Sequence, residues 1–114
     1  MNYEESLKIL DLIEGAGSKE DEDWQGLYND LLKDAIDYSN IRAKWNFKTP
    51  GEKENAGKSR TNLHDVFISD IEIMARYAKS KGRDASFEEV LALDRKDVGD
   101  FACFVHAIIG IRCR

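Results

Sequence analysis

Residues 95–109 limit what this chain can fold into more than any other stretch. Wound at about 100° per residue, Val98, Phe101, Ala102, Cys103, Phe104, Val105, Ala107, Ile108 and Ile109 nearly encircle the helical wheel. Asp100 is left as the main polar position past the first turn. A helix that is apolar on almost every side is either the buried centre of a fold or half of a dimer interface. Asp94 stands in front of it as an N-cap. Gly99 costs such a helix about 1 kcal/mol relative to Ala, so we expect a neighbouring helix to approach closely there. The apolar run 101–111 is interrupted by His106 and is too short to span a bilayer.

Four more helices are needed to cover it, and the spacing of apolar residues supplies them. Tyr3, Leu7, Leu10 and Ile13 share one face of a short helix that stops at Gly15 and Gly17. The run Glu20, Asp21, Glu22, Asp23 suits a helix start, where unpaired N–H groups attract carboxylates. From residue 24 to about 45, Trp24, Leu27, Tyr28, Leu31, Leu32, Ala35, Ile36, Tyr38 and Trp45 fill half a wheel. Residues 46–59, with Pro50-Gly51 and Gly57 as breakers, are expected to form a flexible loop. A third long helix follows from about residue 59 or 61 to 81 and ends at Gly82. Ser86-Phe-Glu-Glu89 has the capping-box pattern and predicts a short helix over 87–93. No strand pattern and no internal repeat is present. The expectation is one all-α domain over residues 1–114, a bundle of about five helices. Its second, third and fifth helices form the core, and the helix within residues 1–17 packs peripherally.

Charge and cysteine content narrow the class. Seventeen Lys and Arg against 22 Asp and Glu leave a net charge of −5, which argues against a generic phosphate-backbone binder, so no direct nucleic-acid partner is expected. Cys103 and Cys113 do not make a disulfide framework. The first residues lack a basic region followed by an apolar run. Together these predict a cytoplasmic protein that does not enter a membrane.

Few residues carry chemistry. Gly51 through Gly57-Lys58-Ser59 ends like a phosphate-binding loop, but five residues separate the glycines instead of four, and no strand precedes it. Cys103 and His106 lie one helical turn apart and could meet His64 in a three-ligand metal site. Cys103, a histidine and Asp100 could also be assembled into a nucleophilic set, yet burial in an apolar helix raises a thiol's pKa and blocks access. We therefore expect no cofactor and no catalytic residues, with His64, Cys103 and His106 as weak metal candidates.

Charges on apolar faces are more informative. Arg42 falls near the centre of the second helix's apolar arc, and Asp70 lies inside that of the third; Arg95 and Asp100 flank the start of the last. Arginine meets a carboxylate through two parallel hydrogen bonds. The expected arrangement is a buried pair in which Asp70 accepts from Arg42 or Arg95, so that removing Asp70 would be strongly destabilising. The carboxylates Glu20, Asp21, Glu22, Asp23, Asp30, Asp34 and Asp37 could instead face a basic partner surface.

In Arg60-Thr-Asn-Leu-His64-Asp, Ile73-Met-Ala-Arg-Tyr77, Asp94-Arg-Lys-Asp-Val-Gly99-Asp100-Phe-Ala-Cys103 and Gly110-Ile-Arg112, the C-terminal half resembles a family of small uncharacterised helical proteins from bacteria, some carried by phages or other mobile elements. The resemblance implies no activity or cofactor. It draws attention to Arg60, His64, Arg95, Gly99 and Asp100, and implies a mobile-element setting.

The expected function is a non-enzymatic protein-binding module, forming a homodimer through its third or fifth helix. An alternative is an inhibitor of a nucleic-acid-processing enzyme, such as a CRISPR nuclease, acting through the acidic second helix. A third is a small metal-binding protein or enzyme built on His64, Cys103 and His106.

Overall fold

The computed structural model describes residues 1–113. Among them run α1 (Tyr3–Gly15), α2 (Glu22–Trp45), α3 (Pro50–Ser80), a 3-10 helix (Ser86–Ala92) and α4 (Arg95–Arg112), with no strand. The all-α, five-helix expectation holds. Among the described residues no helix is long and apolar enough to cross a membrane.

The largest departure concerns residues 46–59. Residues 50–59 are the first turns of α3, and the connection shrinks to residues 46–49. Thr49 accepts from the Glu52 N–H at 3.2 Å, and Glu52 accepts from the Thr49 N–H at 3.1 Å, closing a capping box. Pro50 occupies the first helical position, where its missing N–H costs nothing. The Pro50-Gly51 pair read as a breaker is thus the start of a helix. Gly82, at φ 68°, ends α3 in the left-handed region where glycine is favoured.

This short turn makes α2 and α3 an antiparallel hairpin. Its register is fixed by Arg60 over the Trp45 ring at 4.4 Å and by Tyr38 beside Phe67 at 6.3 Å. α4 lies along the other side of α2, so α2, not the C-terminal helix, is the central element. Trp24, Leu31, Ala35 and Tyr38 of α2 are buried against Phe67, Ile71 and Met74 of α3 and against Phe101 and Val105 of α4. Phe67 and Phe101 stand 5.9 Å apart where the three helices meet.

α1 is not peripheral. Ser6, Ile9, Leu10 and Ile13 are buried, and the helix packs on α4 and on the 3-10 helix. Leu10 and Ile13 face inward as expected, joined by Ile9, while Tyr3 is left 39% exposed. Arg112 of α4 ties the two helices further, pairing with Glu14 and with Asp11 at 3.3 Å. The 3-10 helix replaces the short α-helix expected after Ser86, and the Ser86–Glu89 capping box does not form. Instead the Ser86 N–H donates to Asp84 Oδ1 at 2.8 Å. Phe87 and Val90 are buried nonetheless, and Phe87 meets Trp24 edge-on at 6.3 Å.

Candidate functional site

The hairpin register decides which charged residues meet. Trp45 lies level with Arg60 and Tyr38 with Phe67, so Asp70 comes to rest beside Asp34, and Arg42 is two turns, about 12 Å, further along α2. The expected pair of Asp70 with Arg42 or Arg95 does not exist. Asp70 Oδ2 is buried with no hydrogen-bond partner. Burial, the Asp34 carboxyl beside it and the field of Asp30 push the Asp70 pKa up to about 8. The loss of water and Asp34 beside it both favour the protonated form of Asp70.

Arg42 turns instead to α4. Its guanidinium lies over Gly99, donates to Asp100 Oδ1 at 3.2 Å and reaches Cys103 Sγ at 3.6 Å. A Cβ at Gly99 would come within 2.6 Å of that guanidinium, so a side chain fills the space where the backbone of a neighbouring helix was expected. Asp100 also accepts from Lys96 at 3.2 Å. Burial alone would raise its pKa, but the hydrogen bonds from Lys96 and Arg42 outweigh burial and hold it below the usual value. Arg95 reaches the Thr61 hydroxyl at 3.2 Å rather than a carboxylate. In the intact chain Gly99→Ala is therefore expected to leave stability nearly unchanged, since the helical gain of about 1 kcal/mol offsets a displaced, partly exposed ion pair. In an Arg42→Ala background the same change should stabilise by about 1 kcal/mol, a coupling that urea denaturation of the four species measures.

A second polar hub joins the α2 start to the end of α3. Asp21 caps α2 by accepting from the Trp24 N–H at 3.1 Å. It also accepts from the Tyr77 hydroxyl at 2.8 Å and from Arg83 at 2.8 Å. The Trp24 N–H, with Arg83 and Tyr77 adding to it against a smaller opposing effect of burial, draws its pKa down to about 2. Nothing in the sequence pattern marks Tyr77 or Arg83 as a partner of Asp21, because neither interrupts an apolar face.

The acidic residues do not act as one set. Asp21 is enclosed in its hub and Asp34 faces Asp70, while Glu20, Glu22, Asp23, Asp30 and Asp37 are exposed. Nor do the metal candidates converge. His106 is 3.1 Å from the Ser39 hydroxyl, His64 packs edge-on against Tyr38 at 5.8 Å and lies 3.1 Å from Asp65, and Cys103 is beside Arg42. Among the described residues no three His, Cys, Asp or Glu side chains are placed to hold a metal ion. The residues 51–59 that end like a phosphate loop are helical.

Two surface features remain. The outer side of α4 carries a shallow, open depression of about 420 Å³ lined by Cys103, His106, Ala107, Gly110 and Ile111, with Ile111 56% exposed. Past the C-terminal end of α2, the hairpin turn holds Phe47, which is 89% exposed.

No protein-family model, curated protein or solved structure matches the chain.

Proposed function

We propose that the chain is a non-enzymatic protein-binding module that docks through the outer side of α4. The observation that carries this reading is the depression formed by Cys103, His106, Ala107, Gly110 and Ile111. Ala107 and Gly110 let another helix approach, and Ile111 leaves more than half of its surface in water. The polar groups nearest to it are already engaged, His106 with Ser39 and Arg42 with Asp100, so they hold the helix in place rather than reach outward. A stable interface needs about 800 Å² from each partner, which extends the contact from the depression along α4. A second copy of the chain is one occupant that this face suits.

Ala107→Arg tests the reading. Ala107 is exposed, so the change should leave the melting temperature within about 2 °C. It should abolish self-association as read by light scattering, returning the mass to 13.0 kDa, and should abolish capture of a protein partner. A chain that is monomeric at every concentration, with the same captured proteins for both versions, would count against α4 as the docking face.

A further inference from the structure

The net charge of −5 conceals a separation. Between residues 40 and 60, six Lys and Arg face two Glu, leaving 11 basic against 20 acidic residues in the rest of the chain. The basic stretch is the far end of the α2–α3 hairpin, and α2 itself passes from Glu22 and Asp23 in its first turn to Arg42 and Lys44 in its last. The molecule is thus positive at one end and negative elsewhere, a distribution that orients it toward a polyanion during encounter.

The cations at this end are available. Among the described residues, Lys44, Lys48, Lys53, Lys58 and Arg60 have no carboxylate within 4.0 Å, in contrast to Arg42, Lys79, Arg83 and Lys96. Arg60 is half-buried, with its guanidinium over Trp45 and its Nε buried without a partner, so only its outer nitrogens can face a ligand. At the apex Phe47 presents its ring to water between Asn46 and Lys48. An aromatic ring with polar and cationic neighbours lacks the surrounding apolar area that a bilayer interior or a protein core would cover. Gly51 and Gly57 weaken the first turns of α3, and nothing packs where their Cβ atoms would be. Folding does not explain them, whereas close approach of another backbone to the helix would.

We propose that this end of the hairpin binds single-stranded nucleic acid, with Phe47 as a stacking platform for one base and Lys44, Lys48, Lys53, Lys58 and Arg60 as contacts to the phosphates. A single strand offers both partners at once, an accessible base face and a line of negative charge. A double helix hides its base faces within the stack, and an acidic peptide has no face for Phe47. The surface is separate from the α4 depression, so the proposal goes beyond protein docking there, and the two can fail independently.

The test is fluorescence anisotropy of a labelled oligothymidylate of about 16 nucleotides, titrated with the full chain at about 50 and 200 mM salt. Saturable binding is expected, with log K falling against log salt at a slope of about −3, as four or five phosphate contacts on a single strand require. Phe47→Ala should weaken binding about tenfold, the loss of one stacked base, while leaving the slope unchanged. Lys44→Glu with Lys48→Glu should reduce both affinity and slope. All three positions are surface sites of the hairpin end, and unchanged melting curves of the variants establish that the fold is intact. No binding at low salt, binding indifferent to Phe47→Ala, or equal affinity for a duplex of the same length would overturn the proposal. So would stronger association with phosphatidylserine vesicles than with the oligonucleotide, which would make the surface a membrane contact. An Ala107→Arg variant that still binds the oligonucleotide keeps this result apart from that of the α4 face.

Discussion

Asp70→Asn is expected to stabilise the protein at pH 8 and to do almost nothing at pH 4. In the folded chain the Asp70 pKa stands at about 8 against 3.8 for the free side chain. The folded state therefore holds a proton that the unfolded chain has released throughout the interval between those values. Stability is complete below about pH 4, declines as pH rises and is lowest once both states are ionised above pH 8. Taken whole, the displacement corresponds to about 6 kcal/mol. Asp70 is only half-buried, and solvent screening reduces this to about 1–2 kcal/mol. Asparagine keeps the shape and carries no charge, so it removes the cost of an ionised Asp70 beside Asp34. The melting temperature at pH 8 should rise by about 5–10 °C, and the decline between pH 5 and 8 should flatten. Asp21 acts in the opposite sense, because its pKa is drawn down to about 2 and its contribution is lost as pH falls below 4. Thermal denaturation followed by circular dichroism at pH 3, 5 and 8 separates the two carboxylates. An Asp70→Asn variant less stable than the parent at pH 8 would show that Asp70 has a cationic partner after all.

Gly17→Ala should be the most damaging single-methyl change in the chain. A Cβ at this position would overlap the indole Cδ1 and Nε1 of Trp24, which is 1% exposed and held between Tyr77 and Phe87. The turn between α1 and α2 is restrained from retreating, since Asp21 anchors it to Tyr77 and Arg83. Overpacking of this kind costs about 3 kcal/mol, or a fall of roughly 10–15 °C in melting temperature. If the clash is the cause, Gly17→Ala should cost much less in a Trp24→Leu background. Equal losses in both backgrounds would place the effect in the backbone of the turn and not in the ring.

The helices were legible in the sequence because burial writes itself as a 3.6-residue period, and Asp94, Gly15 and Gly82 mark ends by local chemistry. The site was less legible for one local reason. Thr49-Pro50-Gly51-Glu52 carries both signals, a breaker pair and a capping box with proline at the first helical position. Reading the breaker lengthened the connection by ten residues. With the turn that long, nothing fixes how far α2 slides along α3, and so Arg42 and Asp70 could be paired on the attraction of opposite charges alone. The four-residue turn removes that freedom and sets two acids side by side. Gly99 was legible as a place of close approach, but not that a guanidinium rather than a backbone would fill it. Tyr77 and Arg83 could not be found by periodicity, since their part in the Asp21 hub depends on where the end of α3 meets the start of α2. Phe47 was hidden for the opposite reason: an aromatic residue in a presumed loop carries no periodic signal of being exposed.

The tight turn between α2 and α3 also sets an order of assembly. Those two helices can zip from residues 46–49 outward while closing almost no loop, and each turn added brings another layer of contact, from Trp45 with Arg60 through Tyr38 with Phe67 to Trp24 with Tyr77. α1 and α4 meet each other across some 80 intervening residues, a contact whose entropy cost falls only after the hairpin has drawn both flanks together. Loop-closure entropy thus favours an order from the middle of the chain toward its ends, with the contact of α1 and α4 made last and the exposed apolar face of α4 completed with it.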